Sequence, residues 1–259
     1  MKLFDAHCHV QFPQFDTDRD AVLTRMREQN MGAIVVGTDM ALSAAAVALA
    51  AQQDFLWASV GLHPNDNPEE EFDMEGFRSL AEHPKVVAIG ECGLDYFRSA
   101  KTQEERALQQ ERFAQHVALA VSLRKPLIIH CREAHEDMLM LLTKYKELHG
   151  DALQIVMHFF TGSGALAQQY LALGSYLSFP GPITYTDMYD DSIRVAPLAA
   201  ILTETDTPFA APVPYRGKRN EPVYVAHVLE KIANIKGIPL AELGERVVAN
   251  AQKAFSLRS

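Results

Sequence analysis

Along the chain, short apolar runs alternate with longer segments in which apolar residues recur at helical spacing. The short runs cover residues 3–7, 33–37, 56–61, 86–90, 127–130, 154–158, 176–179 and 201–205. They are nearly continuous rather than alternating, as expected of parallel strands whose outer faces are covered by helices. Helical periodicity falls between them at 18–30, 40–53, 73–82, 103–123, 133–148 and 164–173, with a looser signal at 192–198. Two further helical patterns, 223–236 and 240–255, follow the eighth run. Eight strands alternating with helices predict an α/β fold, a single (β/α)8 barrel with its site at the C-terminal rim of the strands. An open doubly wound sheet is the competing arrangement. The least regular stretch, 207–222, carries Pro208, Pro212, Pro214, Gly217 and Pro222 and starts where the last strand ends. It reads as a rim loop, not a linker.

Composition narrows this picture. The 259 residues are 48% hydrophobic and 22% charged, so a large core forms and general disorder is excluded. A barrel of this type fills about 250 residues, so one domain spanning 1–259 accounts for the whole length. The net charge of −9 argues against a basic surface that coats nucleic acid. Any phosphate chemistry must therefore rely on something other than surface lysine. Three cysteines, no apolar leader after Met1 and no window near about 18 apolar residues predict a cytoplasmic protein without disulfides or membrane spans. The acidic run Glu69-Glu70-Glu71 reads as a solvated loop.

The histidines then supply candidate chemistry. His7 and His9 close the first strand, His63 follows the third, and His130 and His158 close the fifth and sixth. Glu91 and Asp206 sit just past the fourth and eighth. In a (β/α)8 barrel all these strand ends converge on one rim. Imidazole and carboxylate are ligands for zinc, manganese and similar divalent ions, and this set exceeds the needs of one tetrahedral site. It suits two ions about 3.5–4 Å apart. Alternation along Asp5-Ala6-His7-Cys8-His9 predicts Asp5, His7 and His9 on the inner face, with Ala6 and Cys8 toward the helices. By the same parity Cys8, Cys92 and Cys131, each following a candidate ligand, are packing residues rather than thiolate ligands. Each histidine taken alone is more often a hydrogen-bonded core residue; the joint placement carries the signal. His83, His116, His135, His149 and His227 lie in or beside helices and read as solvated or ordinarily hydrogen-bonded. Glu204 reads either as support for the metal shell or as a buried structural acid.

With these residues in view, the chain resembles the TatD family of metal-dependent hydrolases, within the amidohydrolase-like barrels. The matching stretches are Asp5-Ala-His-Cys-His9, Gly61-Leu-His-Pro64, Gly90-Glu-Cys-Gly-Leu-Asp-Tyr96, Pro126-Leu-Ile-Ile-His-Cys-Arg132, His158-Phe-Phe-Thr-Gly162, Glu204-Thr-Asp-Thr-Pro208 and Arg216-Gly-Lys-Arg-Asn-Glu-Pro222. The resemblance implies two divalent cations (zinc, manganese or magnesium). His7 and His9 would hold the first, Glu91 would bridge, His130 and His158 would hold the second, and Asp206 would bind the first and take the proton of the attacking water. It places His63, Arg216 and Asn220 toward the substrate, a phosphodiester such as DNA, with no obligate protein partner; His63 and Asn220 read equally well as structural residues of the rim loops. Phe159 departs from the small residue or cysteine common in relatives. The segment 86–95 contains no lysine, so Glu91 takes the place of the carbamylated lysine found in other branches. Two alternatives remain: a two-metal hydrolase of a small ester, lactone or amide, and a non-enzymatic descendant. The cations in Arg216-Gly-Lys-Arg219 favour an anionic substrate, and the complete ligand set weighs against the descendant.

Overall fold

A computed structural model describes residues 1–65 and 71–257; Glu69 and Glu70 of the acidic run lie outside the described residues. The strands are β1 (Leu3–Cys8), β2 (Met31–Val36), β3 (Leu56–Val60), β4 (Val86–Asp95), β5 (Leu127–Arg132), β6 (Ile155–Met157), β7 (Tyr176–Phe179) and β8 (Ile201–Thr203). The helices are α1 (Arg19–Glu28), α2 (Met40–Ala51), α3 (Met74–Ala81), α4 (Gln103–Leu123), α5 (His135–His149), α6 (Gly164–Ala172), α7 (Asp190–Val195), α8 (Val225–Lys236) and α9 (Leu240–Ala254). The strands pair in sequence order, each parallel to the next. β1 meets β8 through a bridge between Cys8 and Thr207, the Asp206 N–H on the His7 carbonyl at 2.9 Å, and the Thr203 hydroxyl on the Phe4 carbonyl at 2.9 Å. The expected barrel is what the chain forms.

Two apolar layers explain its stability. Phe4, Ala6, Ile34, Val36, Ala88, Ile128, Val156 and Leu202 fill the barrel interior, and Val248, Ala251, Ala254 and Phe255 at the end of α9 plug its lower mouth. Ala33, Val35, Val60, Ile89, Ile129 and Met157 face outward onto helix residues such as Met26, Phe77, Phe113 and Met138. Continuous apolar strands follow from being buried on both faces. Local signals start the helices: Asp39 accepts the Leu42 N–H before α2, and Thr102 with Glu105 forms a capping box on α4. No helix of the described residues is long and apolar enough to cross a membrane.

Two strands depart from simple alternation, and both carry site residues. In β1 the register slips between Asp5 and Cys8, so Ala6 joins the interior cluster, not the helix-facing side that alternation predicts. Cys8 still faces outward. In β4 the slip lies between Ile89 and Cys92: Ala88 points inward, Ile89 outward, and Glu91 again inward. A bulge re-aims side chains in this way without ending the strand. β4 consequently runs on to Asp95, pairing Gly93 with His130 and Asp95 with Arg132, where the sequence predicts an end at residue 90. The close approach of β5 demands glycine. Gly90 and Gly93 have φ of +137° and +142°, and a Cβ at either would collide with the carbonyl oxygen of Ile128 or His130.

Candidate metal centre

Seven residues from six strand ends or their following loops meet at the rim. Glu91, only 3% exposed, stands at the centre. Its Oε2 lies 3.2 Å from His7 Nε2 and 3.9 Å from His9 Nε2. Its Oε1 lies 3.0 Å from His130 Nδ1, 3.3 Å from His158 Nε2 and 3.5 Å from His63 Nε2. Asp206 Oδ1 completes the first side, 3.4 Å from His9 Nε2 and 3.8 Å from His7 Nε2. Three overlapping groups (His7, Glu91 and His158; His7, His9 and Asp206; His63, Glu91 and His130) each bring donor atoms within 4.8 Å of one another.

Outer contacts decide what each ring offers. His9 donates Nδ1–H to the Val36 carbonyl at 2.8 Å, which leaves the Nε2 lone pair toward the cluster. His158 turns Nδ1 to Glu204 Oε1 at 2.8 Å, with the same effect on its Nε2. His130 donates Nε2–H to Asp95 Oδ2 at 3.0 Å and presents Nδ1. His7 presents Nε2, and its Nδ1 is a buried nitrogen without a hydrogen-bond partner. These carboxylate and carbonyl partners are the supports that metal-ligating imidazoles use to fix tautomer and orientation. His63 differs. The Asn65 N–H donates to its Nδ1 at 3.2 Å, so the neutral ring carries its proton on Nε2, aimed at Glu91. The donor set fits divalent cations: imidazole nitrogens that a cation can take in exchange for a proton converge with two carboxylates at a buried rim.

Electrostatics agree with the geometry. Burial alone would raise the Glu91 carboxyl, but His158, His63 and His7 hold it well below the usual carboxylate range. Asp206 is likewise lowered, burial being outweighed by its hydrogen bond to His9 and the fields of His158 and His7. Burial pushes His7 down, whereas His158 is raised to about 10 against its burial by Glu204 and Glu91. Asp206 takes φ +55°, a left-handed conformation in which its N–H reaches the His7 carbonyl.

The loop residues fare differently from expectation. Arg216 is exposed, its guanidinium 4.3 Å above the Tyr185 ring. Arg219 is not a free cation: it forms a forked pair with Asp18 at 2.7 and 2.6 Å. Asn220 is fully buried and donates to the carbonyls of Thr205 and Phe209 at 2.8 and 2.7 Å while accepting the Glu221 N–H. Its amide is engaged in holding the β8 loop, the structural one of its two expected roles. The cysteines lie outside the three groups; Sγ of Cys8 donates to the Ile34 carbonyl at 3.3 Å.

Three residues matter more than the sequence reading allowed. Asp95 supports His130 and caps the Phe97 and Arg98 N–H groups through Oδ1. Asp5 turns to β8, accepting from the Thr205 N–H and hydroxyl, and burial raises its carboxyl to about 8. Buried His116 accepts the Leu62 N–H at 2.9 Å and donates to the Arg112 carbonyl, thereby fixing the residue before His63. The polar spacing of Asp5 and the position of Asp95 four residues past Glu91 were visible signals; His116, inside a long helix, gave none.

A (β/α)8 barrel with this imidazole–carboxylate cluster at its rim has the architecture of the metal-dependent hydrolases. The profile of the TatD-related DNase family matches residues 4–256, and the chain belongs to that family. It is 38% identical over 259 residues to the uncharacterized metal-dependent hydrolase YabD of Bacillus subtilis, covering 98% of this chain and 99% of the relative. It is 34% identical over 265 residues to the 3′-5′ ssDNA/RNA exonuclease TatD of Erwinia tasmaniensis, covering 98% and 100%. The solved structure of YJJV, a TatD homolog from Escherichia coli K12, aligns with TM-score 0.89 at 29% identity over 99% of both chains.

Proposed function

We propose that this protein hydrolyses phosphodiester bonds of DNA, with two divalent cations as cofactors. The observation that carries the reading is the division of Glu91: one oxygen serves the His7 and His9 side, the other the His130 and His158 side. His7, His9, Asp206 and Glu91 would hold one cation; His130, His158 and Glu91 would hold the second. Zinc, manganese or magnesium there would supply Lewis acidity, a more acidic water and neutralisation of phosphoryl charge.

The protein's own groups do the rest. Asp206, held ionised near neutral pH, orients the attacking water and accepts its proton as oxygen bonds to phosphorus and the ester oxygen departs. His63, whose Nε2–H faces Glu91 at 3.5 Å, would turn that donor to a phosphoryl oxygen when substrate enters. Arg216 offers a forked cation at the rim. Asn220 keeps the Asp206 loop in place. The ssDNA/RNA exonuclease named among the relatives supports a nucleic-acid substrate.

The test is a substrate panel on metal-depleted protein resupplied with manganese, magnesium or zinc. It contains single-stranded DNA, duplex DNA, RNA and bis-p-nitrophenyl phosphate beside lactones and carboxylic esters. Phosphodiester cleavage that His130→Ala abolishes is expected. Activity confined to the carbon esters, or equal activity in wild type and His130→Ala, would overturn the proposal.

A further inference from the structure

Among the described residues, only two aromatic rings are classed as exposed: Phe97 at 47% and Phe209 at 48%. Both stand at the rim, on opposite sides of the metal centre, since β4 and β8 lie across the barrel from one another. Each is tied by its backbone to a residue of that centre. The Phe209 N–H donates to the Asp206 carbonyl at 2.9 Å, and the Phe209 carbonyl accepts from Asn220 at 2.7 Å. The Phe97 N–H donates to Asp95, whose second oxygen holds His130, and the Phe97 carbonyl accepts from Lys101 at 2.6 Å.

Neither ring is disordered surface hydrophobe. Phe209 sits edge-on to Phe12 at 6.3 Å, and Phe12 stacks on His9 at 4.5 Å. Phe97 carries the Arg132 guanidinium at 3.8 Å from its ring centre. A rigidly held phenyl ring left half in water is unfavourable for folding, because its apolar surface stays hydrated. Placed beside a phosphodiester site, it offers the π-face that unpaired bases stack on. A duplex keeps its bases inside the stack and cannot use it.

We propose that Phe97 and Phe209 are stacking platforms for unpaired nucleobases on either side of the scissile phosphate, with Arg132 backing the first. The proposal rests on the phosphodiesterase reading and assigns the side chains that would hold the bases beside the cleaved bond.

The test compares kcat/KM on a single-stranded oligonucleotide with that on an abasic strand of the same length, for wild type and for Phe97→Leu, Phe209→Leu and Phe209→Trp. Base–aromatic stacking of about 1–3 kcal/mol converts to a preference for the base-bearing strand of roughly 5- to 150-fold per base. Wild type is expected to show that preference. Each leucine variant should shrink it by about fivefold or more, and Phe209→Trp should restore it. If wild type cleaves both strands equally, or the preference survives both leucine variants intact, the platforms are overturned while the phosphodiesterase reading stands. If wild type cleaves duplex DNA or bis-p-nitrophenyl phosphate but neither single strand under any metal, the platforms are overturned and the phosphodiesterase reading stands; if it cleaves no phosphodiester at all, both fall.

Discussion

Asp95 accepts the Nε2–H of His130 at 3.0 Å, and that single contact determines which nitrogen of the ring faces the metal centre. Supports of this kind are typically worth about 10–100-fold in metal affinity. Asp95→Ala should weaken divalent-cation binding by about that factor while the far-ultraviolet circular dichroism stays native. Competition titration against a chromogenic chelator measures it. An unchanged affinity would reduce Asp95 to a loop cap for Phe97 and Arg98.

Metal loading should release protons. In the metal-free protein Glu204 and Glu91 raise His158 to about 10 against its burial, and His130 and His9 are raised as well. Cations must displace these protons, so apparent affinity should tighten as pH rises through the neutral range, by up to about tenfold per unit for each proton released. Calorimetric titration in buffers of different ionisation enthalpy reads the proton count directly. A count of zero at neutral pH contradicts the charged state of His158.

His116 makes stability depend on pH. Burial lowers its pKa to about 4 from the ordinary 6.5, so the folded protein refuses a proton that the unfolded chain accepts. The stabilisation is complete above 6.5 and is lost as pH falls toward 4. Between pH 7 and 5 wild type should lose about 2 kcal/mol more than His116→Gln, which keeps a hydrogen-bonding amide without the titration. Urea unfolding of both proteins at the two pH values provides the comparison; parallel losses would rule out a buried neutral ring.

Asn220→Ala separates a loop anchor from a substrate contact. Removing the amide leaves the Thr205 and Phe209 carbonyls without their donor, at a cost of about 2–3 kcal/mol. Unfolding midpoints should fall accordingly. A raised KM with unchanged stability would return Asn220 to the substrate.

The barrel was legible because each strand is an apolar run bounded by polar residues, and α4 carries its capping box in the sequence. Ligand candidates were legible for a topological reason: parallel strands of a (β/α)8 barrel end on one rim. Alternation failed at Ala6 because parity holds only while register does, and the β1 slip is a property of pairing with β2. The length of β4 was hidden similarly, since Glu91 and Asp95 look like a strand terminus until β5 is placed beside them. The basic loop misled for another reason. Arg219 and Asn220 are loop residues by sequence, but their partners, Asp18, Thr205 and Phe209, are fixed only by the fold.

The seam between β1 and β8 brings together residues nearly 200 positions apart: Thr205 grips Asp5, and the Asp206 N–H holds the His7 carbonyl. Glu91, His130 and His158 all precede Asp206 in the chain and are translated before it. A ribosome-bound chain short of that point lacks both Asp206 and the backbone contact it makes to His7. The rim cluster is therefore completed only when the last strand closes the barrel.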